Sequence, residues 1–354
     1  MNKNNWESCV RKVVPYVPGE QPQFSDVIKL NTNENPYPPA PDVRKILDDF
    51  DCGRMRLYPD PDSTVLTDAI AKRYGLKSSQ IFAGVGSDDV LAVAFMTFFG
   101  SDRPILFPDI TYSFYDVWAD VYRIPYRQIP LKSGFNIAPE DYVTENGGIV
   151  IANPNAPTGV AAPLEVIENI VKVNPDSVVI IDEAYVDFGG ESCLPLIERY
   201  ENLLVVQTFS KSRSMAGMRI GFAMGSEKLI KYMNDVKFSI NSYTMNTLTQ
   251  LCGAAAVKDE KYFNETVSKI IETRERSKKR LAELGFTFTD SKANFIFASP
   301  PKKSAQYVFD ELKKRRIFVR YWNKPVICEY LRITVGTDEE MDKLFEALED
   351  ILNG

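Results

Sequence analysis

TFSKSRSMAGMRIGF, Thr208 to Phe222, is the stretch on which the reading of the fold turns. It sets Lys211 just after two hydroxyl residues, Thr208 and Ser210, and then places Arg219 beyond a small Ala216-Gly217 pair. The apolar run before it, Leu203-Leu204-Val205-Val206, reads as a buried strand. Lys211 therefore stands just past a strand end, where parallel sheets hold their ligands. A lysine held in a pocket can lose its proton and form a Schiff base with a carbonyl cofactor. Two hydroxyls and an arginine nearby are what a bound phosphate requires. Together they point to pyridoxal phosphate. A solvated loop carrying two surface cations would also account for this stretch alone, so the reading depends on partners elsewhere in the chain.

Working outward, strand-like and helical segments alternate from about Pro41 to Phe238. The pattern predicts a helix over Ser63 to Tyr74 with Ser63 as its N-cap, a strand Gln80 to Ala83, and a helix reaching Phe99. Further strands are expected at Arg103–Phe107, Gly148–Ala152, Ser177–Asp182, Leu203–Gln207 and Ile220–Met224. Such alternation implies an α/β fold with a mainly parallel sheet covered by helices on both faces. Beyond Phe238 the pattern changes to a helix over Met245 to Val257, a long charged helix from Glu260 to Leu284, and a short αβ unit closed by a helix near Asp338. The expected division is an N-terminal arm over 1–40 that completes the small domain, a large domain over 41–245, and a smaller α/β domain over 246–354.

Four other segments supply parts of a cofactor site. GVGSDD, Gly84 to Asp89, is a strand-to-helix turn whose backbone can approach an anion and hold it on free N–H groups. The strand Val178 to Ile181 ends in Asp182, Glu183, Ala184 and Tyr185. A carboxylate at the end of a buried strand is costly unless paired, and a pyridinium nitrogen is a suitable partner. NPNAPTG, Asn153 to Gly159, is another turn beyond a buried strand, and PDITYSFY, Pro108 to Tyr115, offers Tyr112 for stacking on a ring. Each segment alone also fits a plain structural role: a loop, a helix cap or a packed aromatic.

The totals narrow the chemistry. A chain of 354 residues, 44% hydrophobic and 25% charged, has the balance of a globular protein with more than one core. The net charge of -6 without a basic stripe argues against nucleic acid. The sequence contains no histidine, which removes Ser-His-Asp and Cys-His hydrolases and histidine-ligated zinc together. Proton transfer near neutral pH then falls to a tuned Lys, Tyr, Asp or Glu, or to a cofactor. Cys9, Cys52, Cys193, Cys252 and Cys328 are scattered without metal or redox spacing, so no metal is expected and a reducing, cytoplasmic compartment is. No signal peptide or membrane-spanning stretch is apparent.

The order of phosphate turn, aromatic, PNxPTG, DEAY and SK…GxRxGF resembles the fold-type I pyridoxal phosphate-dependent aminotransferases. LNTNENPYPP (Leu30 to Pro39), RLYPDP (Arg56 to Pro61), IDEAYVDF (Ile181 to Phe188) and YLRITVGT (Tyr330 to Thr337) make it most similar to the histidinol-phosphate aminotransferase branch. The resemblance extends over essentially the whole chain. It implies that Lys211 joins the cofactor, Asp182 pairs with the ring nitrogen, Tyr185 bonds the phenolic oxygen and Tyr112 stacks on the ring. Ser87, Asp88, Thr208, Ser210 and Arg219 would surround the phosphate, and Tyr58 would reach it from the other subunit of a homodimer. Relatives usually have PNNPTG, whose second Asn touches the phenolic oxygen. Here that position is Ala156, so either Asn155 takes over or Tyr185 carries more of the work.

In the resembling branch two arginines, here Arg320 and Arg332, turn to a substrate phosphate, and forked charge-assisted bonds suit them to it. Tyr16 and Asn33 are the remaining substrate-side candidates. The implied activity is ping-pong amino transfer between histidinol phosphate or imidazole-acetol phosphate and glutamate or 2-oxoglutarate. Three rivals remain: an aromatic amino acid aminotransferase, a threonine-phosphate decarboxylase, and a non-catalytic cofactor-binding regulator. LNTNENPYPP weighs against the decarboxylase. The arm leaves no room for the DNA-binding domain that such a regulator carries ahead of this fold.

Overall fold

Ile105–Pro108, Gly148–Ala152, Val179–Asp182 and Leu203–Thr208 are short apolar strands in which every residue is buried. Strands of that kind have no wet face and need cover on both sides. In this computed structural model, which describes residues 5–23 and 26–354, they form the centre of a seven-stranded sheet. Its order is Ile81–Gly84, Gly221–Gly225, Leu203–Thr208, Val179–Asp182, Gly148–Ala152, Ile105–Pro108 and Tyr126–Ile129. Only Gly221–Gly225 runs antiparallel to its neighbours. Tyr126–Ile129 was not expected. It is an edge strand with three exposed residues, so no hydrophobic run announces it.

The strand period of two divides the core. Ile149, Ile151, Val179, Ile181, Leu203 and Val205 pack into one cluster with residues of the helices Thr64–Tyr74, Leu164–Val173 and Thr247–Lys258. Val150, Ala152, Ile180, Leu204 and Val206 pack on the other face, against Ser87–Phe98, Tyr115–Tyr122 and Glu227–Ile240. The smaller body is a four-stranded antiparallel sheet in the order Arg320–Tyr321, Leu331–Thr334, Phe295–Ser299, Thr287–Phe288. Leu281, Leu312, Met341, Leu344 and Leu348 build its core from the helices Glu260–Glu283, Ala305–Lys314 and Asp338–Asn353. The arm joins it through Ile28–Lys29, which pairs in parallel with Ile317–Phe318.

Two expectations change. The sequence pattern assigns the helix Thr247–Lys258 to the small domain, yet Cys252, Ala254, Ala256 and Val257 belong to the large body's core. We therefore propose the boundary at Asp259 rather than before residue 246, since contiguous burial, not the change in sequence pattern, defines a body. The other concerns Ser63, which has a left-handed φ of 53° and makes no side-chain cap bond. Asp60 takes that part, accepting from the Thr64 N–H at 2.8 Å and the Asp62 N–H at 3.1 Å. Asp60→Ala is expected to cost about 1 kcal/mol and Ser63→Ala less, which thermal unfolding of the two variants would resolve.

Register brings the functional ends together. Gly84 and Thr208 both pair with Gly221, Asp182 pairs with Val206, and Ala152 pairs with Asp182. The strand ends therefore meet along one edge of the sheet, beside the small body.

Candidate active site

A cavity of about 330 Å³ opens at that edge, lined by Lys211, Asp182, Tyr185 and Tyr112 from the large body and by Arg320 and Arg332 from the small one. Lys211 Nζ donates to the Thr32 carbonyl at 3.0 Å and lies 5.8 Å from the Tyr185 ring centroid. Burial, and next the Arg332 charge, push its pKa down to about 8. About a tenth of the amine is then neutral at pH 7, far more than for an ordinary lysine.

Asp182 and Glu183 are adjacent in sequence and point to different places, as a strand demands. Glu183 is bound by Cys193 N–H, by the Ser192 hydroxyl and, at 2.9 Å, by the Gln207 amide. Asp182 lines the cavity and accepts from the Tyr115 hydroxyl at 2.9 Å and the Ala184 N–H at 3.2 Å. Burial raises its pKa to about 6, with those two donors opposing the rise. The carboxylate is therefore mostly ionised at pH 7, and among the described residues no cation bonds it directly.

The anion cup has a cationic and a neutral side. Arg219, itself at a left-handed φ of 53°, donates to the Asp88 carboxylate at 3.1 Å. Thr208 and Ser210 lie together, their hydroxyls 3.0 Å apart. Ser87 and Asp88 open the helix Ser87–Phe98, where amide N–H groups lack intrahelical partners and no side chain caps them. Glycine permits the close approach. A Cβ on Gly221 would stand 2.2 Å from the Ser87 nitrogen, and one on Gly86 2.5 Å from Arg219 Nη2. All five of the residues expected around a phosphate line the cavity.

Tyr112 donates to Asp88 at 2.8 Å. Tyr16 reaches the cavity from the arm, its ring stacked on Phe114 at 4.2 Å and 6.4 Å from Tyr112. Arg320 is held by the carbonyls of Val17 and Pro18 at 3.0 and 3.3 Å, and Arg332 by that of Asn31 at 2.8 Å. Among the described residues Arg332 Nε is buried with no partner. Trp322 lies 5.2 Å from one guanidinium and 5.1 Å from the other, and its π-face offsets their mutual repulsion.

Two expected residues are not in this cavity. Asn155 uses its amide N–H groups on the Ile110 carbonyl and Thr158 hydroxyl, and its oxygen on Thr111. Its side chain ties the loop together, while Ala156 lines the cavity. Tyr58 is 82% exposed and stacks on Tyr243 at 4.7 Å, along a separate surface hollow. Tyr115, Trp322, Thr32 and Glu34 were missed. Tyr115 had a signal, since it follows Tyr112 by one helical turn; the others depend on contacts between distant segments.

Comparison with known proteins gives the same picture over the full length. The profile of the aminotransferase class I and II family matches residues 25–348. The histidinol-phosphate aminotransferase of Lactococcus lactis subsp. cremoris is 52% identical over 348 residues, 98% of each chain. Histidinol-phosphate aminotransferase 1 of Hydrogenovibrio crunogenus is 52% identical over 347 residues, again 98% of each. Among solved structures, the histidinol-phosphate aminotransferase of Sinorhizobium meliloti in complex with pyridoxal-5'-phosphate superposes with a TM-score of 0.84 at 24% identity, over 92% of this chain and 91% of that one. The Clostridium acetobutylicum enzyme has a TM-score of 0.84 at 22% identity, over 92% and 99%. At such identities the superpositions establish the shared fold.

Proposed function

This chain belongs to the aminotransferase class I and II family, and on that premise we propose that it is a pyridoxal phosphate-dependent histidinol-phosphate aminotransferase. It transfers an amino group between L-histidinol phosphate or imidazole-acetol phosphate and glutamate or 2-oxoglutarate, a step of histidine biosynthesis. The observation that carries the reading is a full-length match, at about half identity, to relatives of that activity. The cavity is consistent with it, since a depressed lysine, a buried carboxylate and two arginines line one space.

The residues fit the cofactor. A phosphate suits the glycine-permitted cup of Ser87, Asp88, Thr208, Ser210 and Arg219, and Asp182 is a buried acid that no cation among the described residues bonds directly. When bound, pyridoxal phosphate supplies the carbonyl that carries the amino group and a ring that withdraws electrons from the carbon losing its proton. Lys211 would anchor it and would serve as the general base for that proton, a role its lowered pKa favours. Asp182 would hold a proton on the ring nitrogen, and Tyr115 and the Ala184 N–H favour its ionised form. Tyr185 would bond the phenolic oxygen and Tyr112 would stack on the ring, since both line the cavity. Arg320 and Arg332 neutralise the substrate phosphate, or the carboxylates of glutamate, in the same half-reaction geometry. Tyr16 completes the substrate side, while Asn33 lines the cavity with its amide turned to Tyr185 and Thr334.

The working unit is a cytoplasmic homodimer with shared sites. Its support is a patch of exposed apolar residues, with Met55 66%, Leu57 55%, Tyr58 82% and Tyr243 46% exposed along one hollow. Tyr58 would serve the partner's phosphate. Tyr58→Phe should weaken cofactor retention by about tenfold, the worth of one charge-assisted hydrogen bond. Mixing it with Lys211→Ala subunits should restore activity, because in a heterodimer one site carries both lesions and the other neither. A fully active protein that sediments as a monomer would sink the shared-site reading. A panel of histidinol phosphate, phenylalanine, tyrosine and threonine phosphate tests the substrate assignment.

A further inference from the structure

Asn33 is 1% exposed and sits at a left-handed φ of 56°, which asparagine tolerates better than most residues. Its groups are engaged from three segments. The backbone N–H donates to Thr334 Oγ1 at 3.0 Å, the backbone carbonyl accepts from Asn294 Nδ2 at 3.0 Å, and Nδ2 donates to Tyr185 Oη at 2.9 Å. Thr334 Oγ1 donates to Asn33 Oδ1 at 3.0 Å.

The direction of each bond follows from the inventory of donors. Thr334 is 2% exposed and its hydroxyl already accepts from the Asn33 N–H. Its own proton needs an acceptor, and Asn33 Oδ1 is the one within reach. Turning the amide over would place Nδ2 against Thr334 and leave a buried O–H unpaired, which is costly. The amide therefore presents Nδ2–H to Tyr185. The Tyr185 oxygen must accept there, and its proton is directed elsewhere. Tyr185 lines the cavity, and Ala156, which packs in the same apolar cluster and lines the same cavity, carries no donor.

We propose that Asn33 is a positioning residue that fixes the Tyr185 hydroxyl as a hydrogen-bond donor into the cavity, aimed at the phenolic oxygen of the bound cofactor. The inference rests on the reading of the cavity as a pyridoxal phosphate site. Thr334, in the small body, and Asn33, in the arm, thereby set the proton direction of a residue in the large body.

The test uses the holoenzyme and reads the pH midpoint of its visible absorbance change. A donor at the phenolic oxygen stabilises the anionic chromophore, so losing it raises the midpoint. Tyr185→Phe should raise it by about one pH unit, a tenfold change in the underlying equilibrium. Asn33→Asp keeps the shape but offers Tyr185 an acceptor, which turns its proton away from the cavity; a rise of similar size is expected. Because Asn33 acts through Tyr185, the double variant should rise no further than the larger single. Thr334→Val, which frees the amide to turn without adding charge, should move the midpoint the same way. An unchanged midpoint in Asn33→Asp and Thr334→Val, or a double-variant shift equal to the sum of the singles, overturns the inference and leaves the cofactor site standing. Unaltered protein that binds pyridoxal phosphate without a lysine-linked visible band overturns the site reading and the inference with it.

Discussion

Lys211→Ala is expected to lower transamination by roughly 10⁴-fold or more, the largest effect of any single substitution in this chain. A positioned general base contributes about 10²–10⁴-fold, and loss of the covalent anchor adds to that. Alanine leaves the anion cup and Asp182 in place, so the variant should still retain pyridoxal phosphate without a covalent link. Its absorbance should no longer change rapidly when glutamate is added, whereas that of the unaltered protein should convert to the pyridoxamine form. Borohydride reduction followed by peptide mapping gives the direct check. Cofactor fixed to any lysine other than Lys211 would undo the central assignment.

Loss of either cavity arginine comes next in size. If Arg320 and Arg332 grip the substrate phosphate, removing one leaves a desolvated anion poorly neutralised, at a cost of about 2–5 kcal/mol. That corresponds to roughly 30-fold to several thousand-fold in kcat/KM. Arg332→Ala should do the greater harm, because its buried Nε has no partner among the described residues and is available to a ligand, and it should damage phenylalanine and histidinol phosphate alike. Arg320 is already held by two arm carbonyls, and a single carboxylate can rely on Arg332. Arg320→Ala should therefore reduce activity on histidinol phosphate strongly and on phenylalanine less. Should the unaltered protein prefer phenylalanine or tyrosine, with Arg320→Ala harmless, an aromatic aminotransferase replaces the present reading.

Much of the site was legible because its parts are local. Lys211 with Thr208 and Ser210, the GVGSDD turn, and Asp182 at the end of an apolar strand each announce themselves within a few residues. Strand burial then carries them to one edge, since parallel strands aligned in register end together. The placement of Asn155 was not legible for the opposite reason. A turn's composition does not say which side chain faces inward, and here Asn155 closes the loop on Ile110, Thr111 and Thr158 while Ala156 faces the cavity. The packing of the helix Thr247–Lys258 in the large body's core was not legible, because an apolar face does not state which core it joins.

The sequence by itself determined the α/β class, the family, the absence of histidine chemistry and the lysine, acid and arginines on which the proposed mechanism rests. Their spacing is short, and short-range chemistry is written in the order of residues. Tertiary structure alone decided that Tyr115 supports Asp182, that Trp322 lies between two like charges, and that Thr334 sets the Asn33 amide that in turn directs Tyr185. Asn33 and Thr334 are 301 positions apart. The direction of a hydrogen bond depends on which donors and acceptors folding leaves without water, and only burial of the assembled chain settles that.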